Sequence, residues 1–273
     1  MTLMGDAFAL AKTWPVPHYG IAVISRDGIQ TSGSTSIRLH LASVSKLLTA
    51  WAVHIAIEEG TTHLDAAIGQ DGCTVAHLLA HAGGYPFEGT EPVARPEQRR
   101  IYSNTGYDML AQHVAQESGI SFEDYLSESL LMPLGMQSTH LDGSPAKDMY
   151  STVADMVLFA QEMRSPSLID RTTYTALTSP TFAELSGMVP GVGKFDPCAW
   201  GLGPEIKSTK HPHWLGDRNA SSTFGHFGGS GTFLWVDPLA DIACVMLSDG
   251  EFSTWGMQYW PAFNDAVLMA FAR

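Results

Sequence analysis

Residues 43–60 read SVSKLLTAWAVHIAIEEG, and the placement of the rest of the chain follows from this stretch. Val44, Leu47, Leu48, Trp51 and Ile55 recur at three- and four-residue intervals until Gly60, which is the spacing of one inward helix face. Ser43 stands at the start of that helix and Lys46 lies three residues on. Residues three apart sit one above the other on a helix, so the Lys46 amine can reach the Ser43 hydroxyl. The positive end of the helix dipole favours a developing alkoxide and the oxyanion that follows it. An unassisted serine is a poor nucleophile, and this pairing supplies activation.

Ser-x-x-Lys alone is a weak signal, because a second copy occurs at Ser144-Pro-Ala-Lys147. That copy sits in a Gly-Ser-Pro loop with no amphipathic helix behind it, so the stacked geometry is not expected there. Two further elements distinguish Ser43. Tyr102-Ser103-Asn104 falls in a turn before a helix that begins near Tyr107. A tyrosine beside a lysine can have its pKa lowered enough to exchange protons, and an asparagine amide offers a donor to a substrate carbonyl. Late in the chain, His226-Phe227-Gly228-Gly229-Ser230-Gly231 runs a β segment into glycines. Gly228 and Gly229 at a strand edge let a substrate approach the backbone and leave an N–H free for an oxyanion. Taken singly, the first of these elements is a turn and the second a bulge.

In this order the three elements resemble the class C β-lactamase, DD-peptidase and family VIII esterase group of serine hydrolases. The resemblance extends to Leu78-Leu79-Ala80-His81-Ala82-Gly83-Gly84, Pro133-Leu134-Gly135-Met136, Ser151-Thr152-Val153-Ala154-Asp155-Met156 and Trp200-Gly201-Leu202-Gly203, and so covers about residues 20–249. It implies an α+β, β-lactamase/transpeptidase-like fold: an antiparallel sheet flanked by helices, plus a helical lobe. It also implies Ser43 as nucleophile, Lys46 and Tyr102 as the proton-handling pair, and Asn104, His226, Gly228 and Gly229 as substrate-binding residues. The backbone N–H groups of Ser43 and Gly229 would form the oxyanion hole. Penicillin-binding members usually carry lysine where this chain has His226, and a neutral histidine does not hold a carboxylate as lysine does. The expected substrates are therefore small esters or amides, with weak β-lactam turnover. A DD-peptidase or D-amino-acid amidase is the alternative within the same chemistry, and a non-hydrolytic penicillin-binding-type sensor is the alternative outside it.

Elsewhere the pattern is consistent with this reading. Tyr19–Ser25, followed by Asp27-Gly28 and a second run to Ser34, reads as a hairpin. Helical patterns follow at 74–81, 107–118, 122–131 and 153–163, with Ser121/Asp124 and Thr152/Asp155 as caps. β signals return at 223–226, 232–236 and 242–247, and a closing helix is expected from Trp260 to Ala272. The expected division is a sheet lobe from residues 1–70 and 191–273 around a mainly helical lobe, 71–190.

The 273 residues carry 45% hydrophobic and 16% charged side chains, enough apolar content for a substantial core. A formal charge of −13 opposes binding to nucleic acid or an anionic membrane. Cys73, Cys198 and Cys244 are too widely spaced for a metal or redox pair and read as free thiols. No basic region precedes an apolar stretch at the N-terminus, and no uncharged run reaches the ~18 residues of a membrane span, so a cytoplasmic protein is expected. His77 and His81 lie four apart without the glutamate of a metalloprotease motif, and neither a metal nor a cofactor is expected. Trp200 and Trp214 are candidates for the wall of an acyl pocket, and residues 91–100 for a solvated loop or rim of the site. Nothing in the sequence specifies an oligomeric state.

Overall fold

The computed structural model describes residues 3–271. Helix α1 (Leu3–Ala11) precedes the hairpin β1 (Tyr19–Ser25) and β2 (Gly28–Gly33), then β3 (Leu39–His40) and α2 (Ser45–Glu58). The middle of the chain holds α3 (Val75–Leu79), α4 (Asn104–Ser118), α5 (Phe122–Leu126), α6 (Met132–Leu134), β4 (His140–Leu141), β5 (Met149–Ser151), α7 (Val153–Arg164) and α8 (Arg171–Leu177). The hairpin β6 (Gly187–Val189) and β7 (Gly193–Phe195) leads to β8 (Glu205–Ile206), β9 (Phe224–Gly228), β10 (Thr232–Asp237), β11 (Ile242–Ser248) and α9 (Phe252–Phe271).

The principal sheet has the order β2-β1-β11-β10-β9-β8, and its paired neighbours run antiparallel, so strands from early and late in the chain form one surface. Val23 faces Cys244 across the first junction, and Trp235 faces Cys244 across the next. Successive side chains point to opposite faces. Ala22, Ile24, Leu234, Val236, Ala243, Val245 and Leu247 therefore join the core beneath α2 and α7, while Ile21, Val23, Phe233, Trp235, Cys244 and Met246 join a second core under α1 and α9. With both faces covered, β10 and β11 read as continuous apolar runs rather than alternating ones.

Several boundaries differ from the sequence expectation. The closing helix begins at Phe252, ahead of Trp260, and contains Pro261; Ala272 lies outside the described residues. Helix α4 begins at Asn104, with Ser103 as its N-cap accepting from the Gly106 N–H at 3.0 Å. The middle of the chain, expected to be mainly helical, also holds the short strands β4 and β5, of which β5 pairs with β3 on one side and β4 on the other. Ser121 and Thr152 cap α5 and α7 as anticipated. Cys73, Cys198 and Cys244 are buried free thiols, and burial pushes each of them up. Among the described residues, no helix is long and apolar enough to cross a membrane.

Candidate active site

Ser43 sits in a 3-10 turn, Ala42–Val44, that runs directly into α2. Ala42 has φ +46°, a left-handed conformation that costs a non-glycine residue on the order of 1–3 kcal/mol. The surrounding structure holds the turn in place. The Leu41 N–H donates to the Met149 carbonyl at 2.8 Å, Thr232 Oγ1 donates to the Leu41 carbonyl at 2.8 Å, and Ser230 Oγ donates to the His40 carbonyl at 2.6 Å. A Cβ on Gly228 would stand 2.4 Å from that same Leu41 carbonyl. Gly228 thus lets β9 close onto the serine-bearing turn.

Lys46 is fully buried on the first turn of α2. Its Nζ lies 2.5 Å from Asn104 Oδ1, 2.9 Å from the Ala146 carbonyl and 3.4 Å from Ser43 Oγ. Asn104 Nδ2 donates to Glu88 Oε1 at 2.9 Å, which turns the amide so that Oδ1 faces the lysine. Burial lowers Lys46 to about 7, against weaker opposition from Asp108 and Glu88. In the neutral amine, the two N–H bonds go to acceptors that can only accept, Asn104 Oδ1 and the Ala146 carbonyl. The lone pair then faces the Ser43 hydroxyl.

Tyr102 meets this pair from the far side, with Lys46 Nζ 4.7 Å from its ring centroid. Its hydroxyl is 3.3 Å from His226 Nε2. His226 Nδ1 is 2.6 Å from the Phe227 carbonyl and must donate to it, so Nε2 is the acceptor and Tyr102 is the donor. Burial holds His226 down at about 3, with Lys46 adding to the effect, so the ring is neutral. The expectation of a lowered Tyr102 pKa is not met: burial raises it well above its ordinary value despite a hydrogen bond with Ser43. Of the two groups, it is the lysine whose pKa is lowered, to about 7. His81, with φ +55°, sets its ring 4.6 Å from that of Tyr102 at a tilt of 42° and accepts from the Ser103 N–H at 3.2 Å.

Ser43, Tyr102, Trp200, His226 and Gly229 line one cavity of about 360 Å³, which Phe87, residues 189–191 and residues 251–253 also line. Gly229 presents open space, with no atom within 4 Å of where a Cβ would stand. Asn104 and Gly228 lie behind the cavity wall, the first bound at both ends of its amide and the second against Leu41. Trp214 is in the core beyond it, donating to Glu205 at 2.7 Å. The second Ser-x-x-Lys does not pair internally: Ser144 donates to Asp108 at 2.5 Å and Lys147 to Glu88 at 2.7 Å. His77 and His81 face different partners, and the described residues contain no cluster of three or more metal-ligating His, Cys, Asp or Glu side chains. The sequence reading missed Phe87, Glu88 and Ala146. The first two lie in a loop without periodicity, and the third acts through its backbone.

The beta-lactamase family model matches residues 34–268. A beta-lactamase from Mycobacterium bovis is 45% identical, with TM-score 0.96 over 98% of this chain and 100% of that one. The D-amino acid amidase of Ochrobactrum anthropi superposes with TM-score 0.79 over 98% of each chain at 19% identity, a likeness of fold. The penicillin-binding protein 4* of Bacillus subtilis is 27% identical over 140 residues, and that match spans 39% of this chain and 31% of the relative.

Proposed function

The chain belongs to the beta-lactamase family, and from that membership we propose that it is a serine hydrolase working through an acyl-enzyme, with Ser43 as nucleophile. The observation that carries this reading is the Lys46 amine, buried, near neutrality at about 7, and directed at Ser43 Oγ inside a cavity. Lys46 takes the Ser43 proton as Oγ bonds to the substrate carbonyl carbon. The resulting oxyanion rests on the N–H groups of Ser43 and Gly229. As the bond to the leaving group breaks, Tyr102, a neutral phenol, gives the leaving group a proton and regains one from the lysine ammonium. Water then adds to the acyl carbon, its proton passes through the same pair, and Ser43 leaves with a proton.

The neutral His226 favours small ester or amide carbonyls over β-lactams, whose carboxylate lies next to the scissile bond and would meet no cation at this position. The test compares p-nitrophenyl butyrate, a D-Ala-terminated peptide and nitrocefin on wild type and Ser43→Ala. Ester turnover should exceed nitrocefin turnover and vanish in Ser43→Ala. A higher kcat/KM on nitrocefin would reverse the substrate assignment, and turnover surviving in Ser43→Ala would remove the mechanism.

A further inference from the structure

A second cleft of about 850 Å³ adjoins the cavity at Ser43, and Phe87, Tyr102 and Pro190 line both. Its walls are the 98–102 segment and the β6–β7 hairpin, held together by Arg100. The Arg100 side chain is buried and donates to the carbonyls of Ala80, Cys198, Thr181 and Phe182, while its backbone N–H donates to the Ser186 carbonyl at 2.8 Å. The Arg100 guanidinium is therefore fully engaged in structure. Arg99 and Lys194 are different: both line the cleft, both are exposed, and neither forms an ion pair with a described residue. In a chain of formal charge −13, these two cations on one cleft give it a local positive charge. Exposed apolar side chains share the cleft, Phe87 at 50% and Met188 at 61%, and Phe87 also lines the cavity at the serine.

The cavity at the serine has the opposite character. His226 is neutral there, and Glu251 is on its wall. A carboxylate adjacent to the scissile bond would face no cation, whereas one carried at the end of an apolar stem would leave that cavity past Phe87 and reach Arg99 and Lys194. We propose that this adjoining cleft is an anion subsite, so that the preferred substrates are esters or amides bearing a carboxylate several atoms from the carbonyl that Ser43 attacks. The proposal rests on the serine-hydrolase reading for its turnover consequences, but not for binding.

The kinetic test has two arms. In the acyl arm, p-nitrophenyl monoesters of adipic, suberic and sebacic acids are compared with the mixed diesters whose far carboxylate is methylated. In the leaving-group arm, the butyrate ester of 3-(4-hydroxyphenyl)propionic acid is compared with its methyl ester. One arm should favour the anion by about tenfold or more in kcat/KM, as charge-assisted hydrogen bonds of the usual strength require. That ratio should fall toward one in Arg99→Gln/Lys194→Gln and with rising salt. No preference in either arm, or a preference that survives the double substitution, would overturn the subsite. Binding is read separately by calorimetry on Ser43→Ala with the monoanilide of suberic acid and its methyl ester. The free acid should bind about tenfold more tightly, and equal affinity sinks the proposal whatever the enzyme hydrolyses. Failure of every ester, charged and neutral, to turn over, with the binding difference intact, would instead count against the hydrolase reading. Arg99 and Lys194 are surface side chains, so melting temperatures of the single variants show whether the fold is kept.

Discussion

In the proposed mechanism, the chemistry of the site concentrates in one side chain, Lys46. Its pKa of about 7 comes from burial, which disfavours the ammonium, so the reactive neutral amine grows in as pH rises. We expect kcat/KM on a neutral ester to climb about tenfold per pH unit below that value and to level off above it. Lys46→Arg, which stays protonated at every accessible pH, should lose about 10²–10⁴-fold of activity. Initial rates from pH 5 to 9 check both, and a profile flat across neutrality would exclude the lysine as base. The Ser43 and Lys46 pair was legible in the sequence because the two lie three residues apart at a helix start and the Tyr102 and His226 elements follow in order. Asn104 was legible as a participant but not in its part: it was read as a donor to substrate, whereas its amide bridges Lys46 and Glu88. The Ala146 carbonyl has no residue signature, since any amino acid supplies one.

At the scale of the element, the β9–β10 turn does two jobs with adjacent glycines. A Cβ on Gly228 would stand 2.4 Å from the Leu41 carbonyl and 2.4 Å from Thr232 Oγ1, so Gly228→Ala forces β9 away from the serine-bearing turn. Overpacking of this kind costs about 1–3 kcal/mol, and turnover should drop along with the melting temperature. Gly229→Ala meets open space and should leave stability within about 0.5 kcal/mol of wild type. Thermal melts and ester kinetics on the pair test this, and equal loss of stability in both would contradict the assignment. The long strands β1, β10 and β11 were legible from β-branched and apolar runs. Strands β4 and β5 were not, because two or three residues carry no periodicity. The early turns of α9 were hidden by Gly256 and Pro261, residues that ordinarily end a helix but here lie inside one packed under the sheet.

At the scale of the whole molecule, burial lowers the pKa of His54, His81 and His226 among the described residues. Burial takes His54 down to about 4 and His226 to about 3, and holds His81 well below its ordinary value. Below pH about 6.5 the unfolded chain binds protons that the native state refuses, so stability falls as pH falls, by about 1.4 kcal/mol per pH unit for each such group. Glu205 behaves differently: burial would raise it, but Lys210 and His213 hold it far below the carboxylate range. Its contribution is lost only as pH drops beneath the ordinary carboxyl value, so the histidines act first. Urea midpoints should decline between pH 6.5 and 4.5, and a constant midpoint over that interval would refute the account.

The pairing of β1 with β11 also governs how the molecule comes into being. On a translating ribosome, Tyr19–Ser25 emerges early with apolar side chains on both faces and only β2 alongside it, while its other neighbour, Ile242–Ser248, is still to be synthesised. Until Ile242–Ser248 follows, the nascent chain therefore holds an unzipped, adhesive strand, open to mispairing with a neighbouring polysome product. We expect the burden of this topology to fall on synthesis, as chaperone dependence, rather than on the finished protein.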